Sequence, residues 1–134
     1  MYLRADALRI PARGASFDRV TVAYGLRNVA DLEGCLAEVL RVLRPGGRFL
    51  ILDFGKPPRP VIASLYFAYL RAVVPLFGRI FFGDPDTHGY ILDSLLEFPS
   101  QAELAEILRG AGFSSVRVES PLLGAMGLIV AESP

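Results

Sequence analysis

The stretch that most constrains the fold runs from Arg48 to Phe54 and reads Arg-Phe-Leu-Ile-Leu-Asp-Phe. A short run of mainly apolar residues, preceded by the turn residues Pro45-Gly46-Gly47, is typical of a strand that is buried on both faces. Strands of this kind belong to parallel sheets that are covered by helices on both sides. The stretch therefore predicts an α/β fold.

Strand and helix patterns alternate along the rest of the chain. Runs of β-branched and aromatic residues predict strands, and leucine and valine at helical spacing predict helices. A capping box from Ser100 to Glu103 marks the start of the last helix, and Gly110 and Gly112 mark its end. The predicted elements are strands over residues 17–24, 48–54, 116–118 and 127–131 and helices over residues 31–43 and 101–109.

The composition limits the kind of partner and the compartment. The chain has 134 residues, is 52% hydrophobic and carries 14 acidic and 14 basic side chains, which fits one compact domain. Zero formal charge argues against nucleic acid as a partner, because such binding depends on clustered lysine and arginine. Cys35 and His88 are the single cysteine and histidine, so we expect no disulfide, no metal site and a cytoplasmic location.

Five short motifs follow one another between Asp6 and Pro57. They are Asp6-Ala7, Ser16-Phe17-Asp18, Gly25-Leu26-Arg27-Asn28, Leu43-Arg44-Pro45-Gly46-Gly47 and Asp53-Phe54-Gly55-Lys56-Pro57. Together they resemble the later half of the demethylmenaquinone/ubiquinone C-methyltransferase family, whose members are class I S-adenosylmethionine-dependent methyltransferases. The resemblance implies S-adenosylmethionine as the cofactor and a prenylated quinol as the methyl acceptor, in menaquinone or ubiquinone biosynthesis.

The resemblance implies that two segments bind the cofactor. Asp6, at the end of a strand, would accept a hydrogen bond from the adenine amino group, and the amide of Ala7 would face the adenine ring. The segment formed by Ala23, Tyr24 and Gly25 would run beneath the cofactor. Without the family resemblance, Asp6 is read as a turn or helix-cap residue.

The motif most specific to the family contains Arg27 and Asn28, which the resemblance assigns to the acceptor side. Methyl transfer to a ring carbon requires the adjacent phenol to lose its proton, because a phenolate donates more electron density to that carbon. Arg27 would stabilise the developing oxyanion, and Asn28 would orient it. The alternative is that Arg27 forms a surface ion pair with Asp31.

The segment from Gly83 to Tyr90 is similar to the family's segment over the acceptor. Asp86, His88 and Tyr90 are candidates for accepting or relaying the phenol proton, because each can act as an acid or base once its pKa is tuned. For His88 the alternative is an exposed loop histidine without a catalytic role.

The glycine-rich loop that these enzymes use to bind the cofactor has no counterpart before Asp6. We therefore expect a partial Rossmann-like class I methyltransferase fold that lacks the N-terminal strands and this loop. The single domain would contain cofactor-side strands and a helix (residues 1–58), acceptor lid helices (59–98) and a closing helix with strands (99–134). On its own it should bind S-adenosylmethionine weakly and be inactive.

The expected missing strands leave the strand over residues 17–24 without a neighbour. An open apolar edge favours association. We therefore expect a homodimer, a partner that supplies the N-terminal half, or a fold-back of residues 1–5 onto that edge. A truncated, non-catalytic paralogue that binds or dimerises is an alternative to the enzyme, and so is a methyltransferase for another small acceptor.

Residues 60–83 are rich in leucine, phenylalanine, tyrosine and valine. Arg71, Pro75 and Arg79 interrupt the segment, and its longest uncharged run, residues 60–70, is shorter than the ~20 residues needed to cross a bilayer. The segment predicts a helix that caps an apolar pocket or lies on lipid headgroups, with peripheral membrane contact. The alternative is a core-facing helix whose two arginines reach solvent.

Overall fold

The computed structural model describes residues 4–77, 79–80 and 89–134, with an α/β architecture. The strands are β1 (Phe17–Ala23), β2 (Leu43–Phe54), β3 (Ser115–Glu119) and β4 (Met126–Glu132). The helices are α1 (Leu32–Val42), α2 (Pro60–Phe77), α3 (Gly89–Glu97) and α4 (Gln101–Gly110). Short 3-10 turns follow β1 at Leu26–Asn28 and precede β4 at Leu122–Gly124.

The four strands form one sheet in the order β1-β2-β4-β3. The β1 and β2 strands are parallel, whereas β4 is antiparallel to both of its neighbours. The register pairs Ala23 with Leu52, so the carboxyl ends of β1 and β2 lie side by side. The predicted α/β class is confirmed, and each predicted strand lies within an observed strand or extends one residue beyond it.

The core lies between the sheet and the helices α1 and α4. The Asp31 carboxylate begins α1 by accepting the Gly34 N–H at 3.0 Å, which satisfies an amide that the helix itself leaves unpaired. Leucine and valine at helical spacing then turn one face of α1 onto the sheet. The buried cluster is Leu26, Cys35, Leu36, Val39, Leu43, Phe49, Ile51, Leu104, Leu108, Phe113, Ile129 and Ala131.

The predicted capping box at the start of α4 is confirmed. Ser100 accepts the Glu103 N–H at 3.4 Å, and the Glu103 carboxylate accepts the Ser100 N–H at 2.8 Å. The helix ends at the predicted glycine pair, where Gly112 has φ +109°. Gly110-Ala111-Gly112 therefore terminates a helix before β3 and is not a cofactor loop after a strand.

The outer edge of β1 has no strand beside it among the residues that the structure describes, since β1 pairs with β2 alone. Arg4 and Ala5 lie outside the sheet, and residues 1–3 lie outside the described part of the chain. The expected fold-back of residues 1–5 is thus not seen for the two of them that are described.

The predicted helix after residue 60 is observed as α2, in which Pro75 lies near the carboxyl end. One face carries exposed apolar side chains, of which Val61 is 73% and Leu65 68% exposed. No helix in the described ranges is long and apolar enough to cross a membrane.

Candidate active site

The candidate site lies at the carboxyl ends of the parallel strands β1 and β2, the edge at which open α/β sheets bind their ligands. The turn after β1 supplies Arg27, and the end of β2 supplies Asp53. Arg27 Nη1 contacts Asp53 Oδ1 at 2.8 Å, and their side chains are only 4% and 7% exposed. The register that aligns the two strands brings these residues together although 26 positions separate them in sequence.

Two further contacts fix this ion pair. The N–H of Phe54 donates to Asp53 Oδ1 at 2.8 Å. The Arg27 guanidinium carbon lies 5.1 Å from the centre of the Phe54 ring, a distance at which the ring face attracts a cation. Within the described part of the chain, Arg27 Nε and Asp53 Oδ2 are buried and have no hydrogen-bond partner. The pair therefore keeps two buried polar atoms without a partner among the described residues.

Burial raises the pKa of Asp53 above its ordinary value, while the Phe54 N–H and the Arg27 charge oppose that shift. The direction follows because removal from water penalises the charged carboxylate. Asp53 is consequently a stronger base than an exposed aspartate.

Two tyrosines lie near the pair or its Phe54 neighbour. The Tyr66 hydroxyl, from α2, donates to the Ala125 carbonyl at 3.4 Å, and burial raises the pKa of Tyr66 while the Arg27 charge opposes it. The Tyr24 ring lies 5.0 Å from the Phe54 ring, centre to centre. The site thus combines the Arg27 cation, which is shielded from water, with the basic Asp53 carboxylate and apolar ring surfaces.

The structure distinguishes between the two readings of Arg27. Asp31 caps α1 through Gly34, and Arg27 is buried against Asp53, so the predicted surface pair of Arg27 with Asp31 is wrong. The reason is that the turn at Leu26–Asn28 directs the Arg27 side chain into the interior, where it contacts Asp53 near the end of β2. Asn28, beside it, is exposed. The acceptor-side roles of Arg27 and Asn28 stay predictions.

The residues predicted to bind the cofactor lie near the same edge or at the surface. Asp6 is exposed, and its Oδ1 accepts the Leu8 N–H at 2.9 Å, which is also the turn role that the alternative gave it. Ala7 and Ala23 are exposed as well. Tyr24 has φ +56°, an uncommon backbone conformation for a side-chain-bearing residue that is often found at functional sites.

Gly25 precedes the 3-10 turn that follows β1. Its φ of −115° suits any residue. An added Cβ would come only into ordinary contact, 3.4 Å from Val22 Cγ2. Neither the backbone nor the neighbouring atoms therefore require glycine at this position. The cofactor-binding roles of Asp6, Ala7, Ala23, Tyr24 and Gly25 stay predictions.

The three remaining site predictions cannot be compared with the structure. Asp86 and His88 lie outside the described residues. Tyr90 lies in the first turn of α3, but its side chain is outside the described part as well.

Sequence reasoning missed Asp53 and Tyr66 as site residues. Asp53 had a usable signal, because an acidic residue at the end of a buried strand lies beside the residues that follow the neighbouring parallel strand. Tyr66 had none, because its position depends on how α2 packs against the turn before β4.

The fold is that of solved S-adenosylmethionine-dependent methyltransferases. One from Thermotoga maritima matches 98% of the chain with a TM-score of 0.66 and 19% identity, and the chain covers 63% of it. One from Aquifex aeolicus matches 100% of the chain with a TM-score of 0.60 and 18% identity, and the chain covers 55% of it. The chain thus has a class I methyltransferase fold.

The sequence narrows this class to one family, because residues 1–131 match the ubiE/COQ5 methyltransferase family. The chain is 39% identical over 127 residues to the ubiquinone/menaquinone biosynthesis C-methyltransferase UbiE of Paracoccus denitrificans, covering 95% of the chain and 51% of that protein. It is 43% identical over 111 residues to the demethylmenaquinone methyltransferase of Parafrankia sp., covering 83% and 44%. The chain therefore belongs to the ubiE/COQ5 methyltransferase family, as the motifs predicted.

The chain spans about half the length of the curated relatives it matches. The family and the fold imply S-adenosylmethionine as the cofactor.

Proposed function

We propose that the chain forms the acceptor-side part of an enzyme that transfers a methyl group from S-adenosylmethionine to a ring carbon of a prenylated quinol. One observation carries the proposal. Arg27 belongs to the motif most specific to the family, and its charge is shielded from water at the carboxyl ends of two parallel strands. The names of the relatives, which include a C-methyltransferase and a demethylmenaquinone methyltransferase, support the same substrate class.

The cofactor supplies a methyl group that is already activated as a sulfonium, so the chain's own residues have to prepare the acceptor. Arg27 stabilises the negative charge that develops on the phenol oxygen, since its guanidinium is shielded from water. Asn28 orients that oxygen. Asp86, His88 and Tyr90 remain proposed routes for the phenol proton.

The proposed cofactor contacts come from residues 6–7 and 23–25. Asp6 accepts the adenine amino group, and the Ala7 amide faces the adenine ring. Ala23, Tyr24 and Gly25 form the floor beneath the cofactor. The other contacts to S-adenosylmethionine have to come from residues outside these two segments.

The test is methylation by the full polypeptide that contains this sequence. Demethylmenaquinol and isotopically labelled S-adenosylmethionine should yield a product with the label on a ring carbon. Arg27→Ala should lower turnover by at least ~10²-fold, because one oxyanion donor is lost. The affinity for the cofactor should stay nearly unchanged. Absence of ring-carbon methylation by the unaltered protein would overturn the proposal.

Two matched variants sharpen this test. Arg44→Ala removes an exposed arginine whose partner is Asp18, and it should leave turnover intact. Tyr90→Phe should cost less than Arg27→Ala if Tyr90 only orients the ring. A comparable loss would assign Tyr90 to the proton path.

A non-catalytic binding or dimerisation module is the second candidate, which the unpaired edge of β1 favours among the described residues. Such an edge can pair with a second copy or with a partner that supplies N-terminal strands. Sedimentation of the 134-residue chain distinguishes pairing with a second copy from pairing with a partner. A dimer supports self-pairing. A monomer that binds a separately expressed N-terminal half of a relative supports the partner. Methyl transfer to a different small acceptor is the third candidate, and product analysis separates it from the quinol.

We also propose that the outer face of α2 contacts an anionic membrane surface. Its exposed apolar side chains are Val61, Leu65, Tyr69 and Leu76, spaced so that they share one side of the helix. Arg59, Arg71 and Arg79 flank them, and no acidic residue occurs from position 59 to position 80. Apolar side chains beside cations suit an anionic lipid surface better than an uncharged protein groove.

Co-sedimentation with vesicles tests this surface. Binding to phosphatidylglycerol vesicles should exceed binding to phosphatidylcholine vesicles and should weaken with salt. The double variant Val61→Ser/Leu65→Ser should lose most of this binding. Leu96→Ser, which alters an exposed leucine on α3, should not. Equal loss in both variants would contradict the assignment to α2.

A further inference from the structure

The Arg27–Asp53 pair is buried but incomplete. Arg27 uses Nη1 and Asp53 uses Oδ1 in their contact of 2.8 Å, and Oδ1 also accepts the Phe54 N–H. Among the described residues, Arg27 Nε and Asp53 Oδ2 are left without a hydrogen-bond partner although both atoms are buried. Buried polar atoms nearly always have a protein or ordered-water partner in folded proteins, so these two atoms keep a bonding capacity that a ligand can use.

The two atoms restrict the chemistry of that ligand. Arg27 Nε carries one N–H donor, and Asp53 Oδ2 is an acceptor while the carboxyl is ionised. A hydroxyl is the smallest group that both donates and accepts, whereas a ketone only accepts and an ammonium only donates. A phenolic hydroxyl can therefore bond to either atom.

A cavity beside Arg27 offers space for an apolar ring. Arg27 lines a cavity of about 260 Å³ between the turn after β1 and the end of α3. Its walls include Leu26, Val29 and Phe98, so most of the lining suits an aromatic ring.

We propose that Asp53 is a catalytic residue that accepts the phenol proton at Oδ2 while Arg27 holds the resulting oxyanion. This inference rests on the proposed function. It replaces Asp86, His88 and Tyr90 as the primary proton acceptor.

The step balances as follows. The phenol O–H bond breaks, its proton passes to Asp53 Oδ2, and the electron pair stays on the oxygen beside Arg27. The ring carbon forms its bond to the methyl group as the carbon–sulfur bond breaks, with that electron pair going to sulfur. The ring carbon then loses its hydrogen as a proton to water, which restores the aromatic phenolate. Asp53 returns its proton to the product oxygen.

The surroundings of Asp53 favour this role. Burial raises the pKa of Asp53, and a more basic carboxylate takes a phenol proton more readily. Among the described residues, the titratable groups near the pair are Tyr66 on α2, Tyr24, whose ring packs against Phe54, and Glu97, which lines the same cavity as Arg27. None of these is an additional cation, so Arg27 is the counter-charge that the oxyanion meets.

The test uses the full polypeptide with demethylmenaquinol, and it follows kcat as a function of pH. For the unaltered protein, kcat should rise with pH as Asp53 ionises. Asp53→Asn should lower kcat by ~10²- to 10⁴-fold and remove this rise, because the proton acceptor is lost. Cofactor affinity should stay unchanged. Asp53→Glu should restore part of kcat with a shifted rise, and Asp18→Asn, an exposed control, should behave as the unaltered protein.

The outcomes separate the two proposals. If the unaltered protein methylates no quinol, the proposed function fails and this inference fails with it. If it does methylate the quinol and Asp53→Asn keeps the rise in kcat, only the inference is overturned. The same holds if Asp86→Asn or His88→Gln removes the rise while Asp53→Asn does not. Should circular dichroism show Asp53→Asn unfolded, an unshifted rise in the folded Asp53→Glu variant overturns the inference.

Discussion

Two arginine–carboxylate pairs in this chain share their chemistry and differ in their surroundings. At the surface, Arg41 donates two hydrogen bonds of 2.7 Å to Glu38, which also accepts the Ile10 N–H at 2.7 Å. The hydrogen bonds from Arg41 lower the pKa of Glu38 to about 2. In the interior, Arg27 holds Asp53 through one oxygen, and burial raises the pKa of Asp53.

The difference separates a structural contact from a reactive one. The Glu38 carboxylate has three donors, and Arg41 also donates to the Ala12 carbonyl at 2.9 Å, so this pair fastens the loop before β1 to α1. The Asp53 carboxylate keeps one buried oxygen without a partner among the described residues. A fully bonded pair has nothing left to offer a ligand, whereas an incompletely bonded pair does.

The largest expected effect follows from removing one member of the interior pair. Asp53→Leu should lower the free energy of unfolding by ~3–5 kcal/mol, because the buried Arg27 charge loses its partner. The double variant Arg27→Met/Asp53→Leu should regain most of that loss, since two apolar side chains replace two buried charges. Urea denaturation followed by circular dichroism measures both. A nearly neutral single variant would contradict the interior position of the pair.

The two carboxylates should affect stability in opposite directions as pH changes. Glu38 has a pKa below its ordinary 4.5, so it stabilises the fold above pH 4.5 and loses this contribution as pH falls towards about 2. Asp53 has a pKa above its ordinary 3.8, so its contribution is present below pH 3.8 and is lost as pH rises through the raised pKa.

Urea midpoints across this pH range test the signs. Glu38→Gln should weaken the acid-induced fall in stability, whereas Asp53→Asn should weaken the fall that accompanies rising pH. The same direction of change in both variants would contradict the comparison.

The cap of α4 is a third polar arrangement, fully bonded like the surface pair. Ser100→Ala should cost about 1 kcal/mol of unfolding free energy, because it removes the side-chain acceptor of the capping box. Ser64→Ala, on an exposed position within α2, is the matched control and should have little effect. A loss in the control as large as in Ser100→Ala would deny the cap any specific contribution.

The smallest expected effect concerns the ion pair between Arg44 and Asp18. Their contact is 2.6 Å, yet the side chains are 50% and 78% exposed. Water competes for exposed charges, so a short distance alone carries little stability. Asp18→Asn should leave the urea midpoint unchanged within error. A clear shift would show that distance matters more than burial in this protein.

Local patterns predicted the fold well because each strand and helix has its own signal in sequence. The β-branched and aromatic residues of β1, the apolar run in β2 and the capping box of α4 act over a few neighbouring positions. The partner of Arg27 could not be read in that way. It follows from the parallel register of β1 and β2, which joins positions 26 residues apart.

The alternative reading of Arg27, a surface ion pair with Asp31, gave it the wrong neighbour. Asp31 is close in sequence, and the turn at Leu26–Asn28 points Arg27 away from it and towards Asp53. Arg27 pairs with Asp53 because both side chains are buried, and their burial depends on how the sheet packs. The place of Tyr66 beside the pair likewise depends on how α2 packs and has no local signature.

The most direct test of the central claim is a nuclear magnetic resonance titration of the Arg27 Nε–H signal, assigned by its disappearance in Arg27→Lys. The ligand is a short-chain prenylated hydroquinone, and the control ligand is its dimethyl ether, which has the same ring without hydroxyl donors. The account predicts that the hydroquinone shifts the Arg27 signal to saturation while the dimethyl ether leaves it in place. An unmoved signal, or equal shifts with both ligands, would contradict the claim that the Arg27–Asp53 pair receives a phenolic hydroxyl.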